Sequence, residues 1–148
     1  MRSISLTLAA FALGIPLAAA ASPDMSDANN CSLKTLAGSY MWTGSGWTVV
    51  ASTWVPKAIV EQLKFDGAGT VTVVHATIAD RFGDGQIAEL PASTSGTYAV
   101  ESGCAFKVQF VPGFPNFNVV LSPDGKFGKF IQTDVNNAFQ GDFVRLSH

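Results

Sequence analysis

Residues Phe65–Val74 read FDGAGTVTVV, an Asp-Gly-Ala-Gly run set between a phenylalanine and an alternation of Thr and Val. Such a run can grip a phosphate or a metal, or it can simply turn a strand round. A phosphate loop needs Lys-Ser or Lys-Thr after its glycines, and a calcium loop needs further acids at alternate positions. Neither follows. In a tight hairpin, by contrast, Asp66 bonds its own backbone and Gly69 takes a positive φ at the end of a four-residue loop. Ser122–Lys126 (SPDGK) and Asp134–Asn137 place similar turn residues between later apolar runs. The stretch is therefore read as a hairpin turn.

Working outward, short extended runs alternate with Gly, Pro, Asp and Asn. They are SYMWT (39–43), TVVASTW (48–54), IVEQLKF (59–65), TVTVVHATIA (70–79), GTYAVE (96–101), CAFKVQFV (104–111), FNVVLS (117–122), KFGKFIQT (126–133) and FQGDFVRL (139–146). Their Val, Thr, Phe, Tyr and Ile suit a pleated, half-buried surface. No run over ten residues carries a 3.6-residue period. Pro56–Leu63 alone allows a short helix, with Pro in its first turn and an Ile59/Leu63 pair. The expected fold is all-β, a single antiparallel meander of about eight strands that closes into a small barrel and so removes its edges. A two-sheet sandwich is the rival architecture.

The first residues bear on destination. Arg2, an apolar run from Ile4 to Leu17 and small residues before Ser22 match a secretory signal peptide spanning residues 1–21. The run is too short to cross a bilayer, so no integral membrane association is expected. Removing residues 1–21 from the 148 leaves 127, enough for one domain with a modest core. Residues 22–30 (SPDMSDANN) are polar and aperiodic, a flexible lead-in to a domain over 31–148. The expected location is secreted or periplasmic. There an isolated pair of cysteines, Cys31 and Cys104, is most simply a disulfide. Two free thiols, one of them a nucleophile, would need a nearby base that the sequence does not show.

Charge excludes one class of partner. Without Arg2 the chain carries eight Lys and Arg against eleven Asp and Glu, with no basic stripe. Nucleic acid is therefore not an expected partner. With two histidines and no Cys/His cluster at ligand spacing, no metal site is expected. Nor is there a Walker loop, a Gly-x-Ser-x-Gly or a Cys–His pair, and no cofactor is implied.

The spacing of turn and core residues resembles a family of small exported bacterial proteins largely without assigned activity. The resemblance lies in Cys31-x-x-x-x-Leu36-x-Gly38-x-Tyr40, Leu63-x-Phe65-Asp66-Gly67-x-Gly69, Ser95-Gly96-Thr97-Tyr98-x-Val100 before Cys104, and Gly141-x-x-x-Arg145. It implies a barrel similar to those of allene oxide cyclases and dirigent proteins, or of lipocalins. Gly38-Ser39-Tyr40 stands where lipocalins carry Gly-x-Trp, and Arg145 where a last-strand Arg covers that aromatic. Tyr in place of Trp, a short interval from Asp134 to Arg145 and the lack of a following helix make this shared barrel-closing physics, an Arg over an aromatic face, rather than membership. Some barrels of this kind catalyse ring closures by shaping a flexible substrate.

Alternation along each run assigns faces. Tyr40 and Trp42 share one, as do Ile59, Glu61, Leu63 and Phe65, then Tyr98 and Val100, then Cys104, Phe106, Val108 and Phe110. Tyr40, Trp42, Phe65, Tyr98, Phe106 and Phe110 are thus the expected lining for a small hydrophobic or aromatic molecule, unless they form a filled core. Glu61, set among apolar neighbours, is the candidate acid, base or ligand anchor, and His75 is a second candidate. A four-residue turn pairs Phe65 with Thr70 and points His75 away from Glu61, whereas a bulge would bring the two together. Three functions follow: a binder of a small apolar molecule, a cofactor-independent cyclase or isomerase using the same cavity with Glu61, or a protein-interaction module using Trp47 and Trp54.

Overall fold

A computed structural model of the chain describes residues 31–79, 87–90, 92, 94–112 and 115–147. The expected signal peptide and the lead-in, residues 1–30, lie outside the described residues. A 3-10 turn at Leu33–Leu36 precedes nine strands: β1 (Gly38–Val50), β2 (Thr53–Phe65), β3 (Thr70–Ala79), β4 (Ile87–Leu90), β5 (Ser95–Val100), β6 (Ala105–Phe110), β7 (Asn116–Leu121), β8 (Phe127–Gln132) and β9 (Asn137–Ser147). Every pairing is antiparallel. The order β2-β1-β9-β8-β7-β6-β5-β3 closes through a β2–β3 ladder, giving an eight-stranded barrel with β4 added beside the far end of β3. No helix among the described residues is long and apolar enough to cross a membrane.

The Asp66 turn behaves as its residues dictate. Asp66 Oδ1 accepts from the backbone N–H groups of Ala68, Gly69 and Thr70 at 2.7, 2.9 and 2.9 Å. Those donors, Ala68 and Thr70 foremost, hold its carboxyl below the usual range. Gly69 takes a φ of 114°. The loop is one residue longer than the glycines suggest, because Phe65 pairs with Val71 rather than Thr70.

Two expectations are corrected. Pro56–Leu63 is not helical but the middle of β2. Its inward residues Ile59, Glu61, Leu63 and Phe65 recur every second position, a period that serves a sheet and not a helix. Among the described residues the β2–β3 ladder begins at Ala58↔Ala79, so Pro56 lies where β2 is paired with β1 alone and its missing N–H costs no ladder bond there. The run 48–54 is not one strand either. Ala51 and Ser52, at φ 47° and 67°, form a two-residue turn between β1 and β2, and Gly44-Ser45-Gly46 lies within β1.

One end of the barrel is sealed. Arg145 lies 5.2 Å from the centre of the Tyr40 ring, and its Nε donates to the Tyr40 hydroxyl at 2.9 Å. The guanidinium also donates to the Thr35 carbonyl, while the Tyr40 hydroxyl donates to the Gly125 carbonyl at 2.8 Å. The arginine thus ties both ends of the domain to the β7–β8 turn. The fully buried Leu36 fills the same end, and Tyr98 donates to the Leu33 carbonyl at 3.2 Å. Cys31 and Cys104 form a disulfide there, with Cα atoms 4.9 Å apart.

Above this seal the interior is solid. Trp42 stacks on Phe130 at 4.5 Å and on Phe143 at 5.2 Å, and Phe65 meets Tyr98 edge-on at 5.1 Å. Gly44 and Gly141 are cross-strand partners, and a methyl built on Gly141 would sit 2.0 Å from the Thr43 oxygen and 2.7 Å from Phe130. Backbone so close to a ring leaves space for hydrogen alone.

Candidate functional site

Among the described residues, the opposite end of the barrel is not filled. A cavity of about 580 Å³ enters it, walled by Ile59, Val73, Ile78, Phe110, Phe117 and Phe139 and rimmed by Val111, Pro112 and Pro115. Among the described residues, six polar lining groups interrupt this apolar wall: Lys57, Glu61, Asn116, Gln132, Asp134 and Asn137.

Most of the polar residues satisfy one another. Lys57 Nζ donates to Gln132 Oε1 at 3.0 Å, and Gln132 Nε2 donates to Asp134 Oδ2 at 3.0 Å. Asp134 also accepts from the backbone N–H of Asn116 at 2.7 Å and from Asn116 Nδ2 at 2.8 Å. Burial pushes the Asp134 carboxyl up, but the donors from Asn116 and Gln132 outweigh it and hold the group below its ordinary value. Asn137 Nδ2 donates to the Val135 carbonyl at 3.0 Å. Lys57 also lies over the face of Phe139, 4.7 Å from its centre.

Glu61 is different. It is 4% exposed, and its carboxyl makes no hydrogen bond among the described residues. Its cross-strand partners are Trp42 on β1 and Ala76 on β3, neither of which offers it a charge. Burial pushes its pKa from 4.5 up to about 7, against a smaller opposing pull from the Lys57 charge. A carboxyl with that value is part acid and part carboxylate at neutral pH.

The other expected site residues separate. Phe110 lines the cavity. Tyr40, Trp42, Phe65, Tyr98 and Phe106 share the interior face but pack in the closed part of the barrel and do not border the cavity. The reason is fill: the Trp42–Phe130–Phe143 stack and the seal of Tyr40 under Arg145 take up that volume. His75 faces outward. Leu63 pairs with Val73 but Gln62 pairs with His75, so Val74 is an extra residue that turns both Val74 and His75 to solvent. Trp47 and Trp54 stand on the outer face of the β1–β2 hairpin, 51% and 52% exposed.

The polar mouth is legible only once β2 is known to be a strand. Lys57 then falls on the face of Ile59 and Glu61, and Gln132 on the face of Gly128 and Phe130. Among the described residues no group of three or more His, Cys, Asp or Glu is placed to hold a metal. No family model, curated protein or solved structure matches the chain.

Proposed function

We propose that this is an exported barrel that binds a small, largely apolar molecule in its open end. The observation that carries the reading is a cavity of about 580 Å³ with apolar walls and one buried carboxyl left for a ligand. The Cys31–Cys104 disulfide fits an oxidising compartment, and the first 21 residues have the pattern of a signal peptide. A neutral, environment-sensitive dye such as Nile red tests the binding reading. It is expected to bind the native protein at one site, and Ile78→Trp, which fills the cavity, is expected to remove that site. Absence of dye binding to folded wild-type protein overturns the proposal.

The position of Glu61 favours one alternative, a cofactor-independent cyclase or isomerase. A carboxyl near neutrality can give and take a proton at a substrate held by the surrounding rings. In that case Glu61→Gln retains dye binding and loses roughly 10²–10⁴-fold in turnover. A binder loses affinity for its own ligand instead.

A further inference from the structure

Resting on the binding reading, we infer that the ligand is an organic amine: a protonated nitrogen directed at Glu61, on an aromatic or aliphatic body held by Phe110, Phe117 and Phe139. Three features of the cavity carry this.

The first is that, among the described lining residues, every polar side chain except Glu61 already makes a hydrogen bond. Lys57, Gln132, Asp134 and Asn116 form a connected chain of hydrogen bonds, and Asn137 is bonded to its own turn. A ligand group addressing the bonded atoms of these side chains would have to break existing bonds. Glu61, almost wholly buried, has only the cavity to answer it. An ionised carboxylate accepts hydrogen bonds and donates none, so its complement is a donor.

Charge is the second. With Glu61 ionised, the described lining residues hold two carboxylates, Glu61 and Asp134, against the one ammonium of Lys57. The local balance is negative, which favours a cation and disfavours a second anion. The desolvation cost of placing Glu61 in the interior is borne by the fold before any ligand arrives, so an incoming cation has only its own dehydration to offset.

The third is the rings. Lys57 over Phe139 at 4.7 Å shows that an aromatic face at this mouth already seats an ammonium. Phe110 and Phe117, in edge contact at 6.4 Å, leave further ring surface along the cavity for the nitrogen's substituents.

Proton linkage gives the inference a direction. Among the described residues, the titratable groups that share the cavity with Glu61 are Lys57 and Asp134; β1 and β3 set Trp42 and Ala76 against it, while β6, β7 and β9 contribute phenylalanines. An aliphatic amine stays protonated between pH 6 and 8, and Asp134, held low, stays ionised. Glu61 changes charge across this interval. Amine affinity should therefore rise about tenfold from pH 6 to pH 8 as Glu61 ionises, with a proton released on binding below pH 7.

The test displaces Nile red with 2-phenylethylamine, using 2-phenylethanol as the neutral isostere and 3-phenylpropanoate as the anion. The expected result is that the amine binds at least tenfold more tightly than the alcohol at pH 8, that the anion is weakest, and that the preference shrinks towards pH 6. In Glu61→Gln the amine and the alcohol should bind alike. An alcohol equal to the amine at pH 8, or a preference that survives Glu61→Gln, overturns the inference while leaving a bound dye and the binding reading intact. If the dye itself does not bind the folded protein, both readings fall.

Discussion

Glu61 and Trp42 are direct partners across the β1–β2 ladder, and they mark the boundary between the two halves of the barrel. Trp42 turns into the packed half, where it contacts Phe65, Phe117, Phe130 and Phe143, and its indole N–H finds no acceptor among the described residues. Glu61 opens on the cavity. Because Trp47 and Trp54 are exposed, Trp42 is the one buried tryptophan and reports on the Glu61 end. A ligand seated against Glu61 should shift the emission that remains in Trp47→Phe/Trp54→Phe protein. Unchanged emission at saturating Nile red would place the dye elsewhere.

The disulfide closes a loop between residues 73 apart in sequence. In the chain-entropy account such a cross-link stabilises by up to about 4 kcal/mol. Cys31→Ser/Cys104→Ser protein should unfold at lower denaturant while keeping its sheet spectrum. Free-thiol labelling of denatured, unreduced wild-type protein at both positions would contradict the bond.

His75 should be dispensable. Its side chain is exposed on the outer face, and its contact is with the Thr77 hydroxyl at 3.5 Å. His75→Ala should change stability by no more than about 0.5 kcal/mol and leave binding untouched. Loss of binding in this variant would mean that the β3 bulge lies elsewhere.

The sealed half and the open half should also respond differently to truncation. Phe106 is fully buried away from the cavity, so Phe106→Ala should cost about 3–5 kcal/mol. Phe110 lies at the cavity wall and is only partly buried, so Phe110→Ala should cost less stability and weaken dye binding more. Equal losses of both kinds in the two variants would count against a division at Trp42.

Much of this was legible in the sequence, for identifiable reasons. Two-residue alternation put Glu61 among apolar neighbours, and the same alternation put Tyr40, Trp42 and Phe106 inside. Arg145 over Tyr40 was implied by the resemblance to lipocalins, whose last-strand Arg covers an aromatic of the first strand. The Ala51-Ser52 turn was hidden, since positive φ is ordinarily announced by Gly, Asn or Asp and neither residue is one. The bulge at Val74 lies where the Thr-Val alternation breaks, at Val73-Val74, but the doublet alone does not show that one residue is surplus to the ladder. Which interior residues fill and which border a cavity depends on ring volumes contributed by five or more strands at once. No single run contains that information.

Glu61 makes the stability of the fold depend on pH. Glu61 has a folded pKa of about 7, raised above its ordinary 4.5. Between those values the native state holds the proton more firmly than the unfolded chain does, so protonation favours folding. That stability is present in full below about pH 4.5 and is lost as pH rises to about 7. Above pH 7 the folded protein carries a buried carboxylate at a cost on the order of 3 kcal/mol, reduced by whatever water the cavity admits. Glu61→Gln removes this charge and keeps the shape. The variant should therefore be more stable than the wild type at pH 8, with the difference disappearing towards pH 4.5. Asp134, with a lowered pKa, acts in the opposite sense at more acidic pH, but it is present in both proteins and cancels in the comparison. Denaturant unfolding of the two proteins from pH 4.5 to pH 8 measures the difference directly. A wild type more stable than Glu61→Gln at pH 8 would show that the carboxylate is favourably paired in the folded state, contrary to the geometry of the cavity.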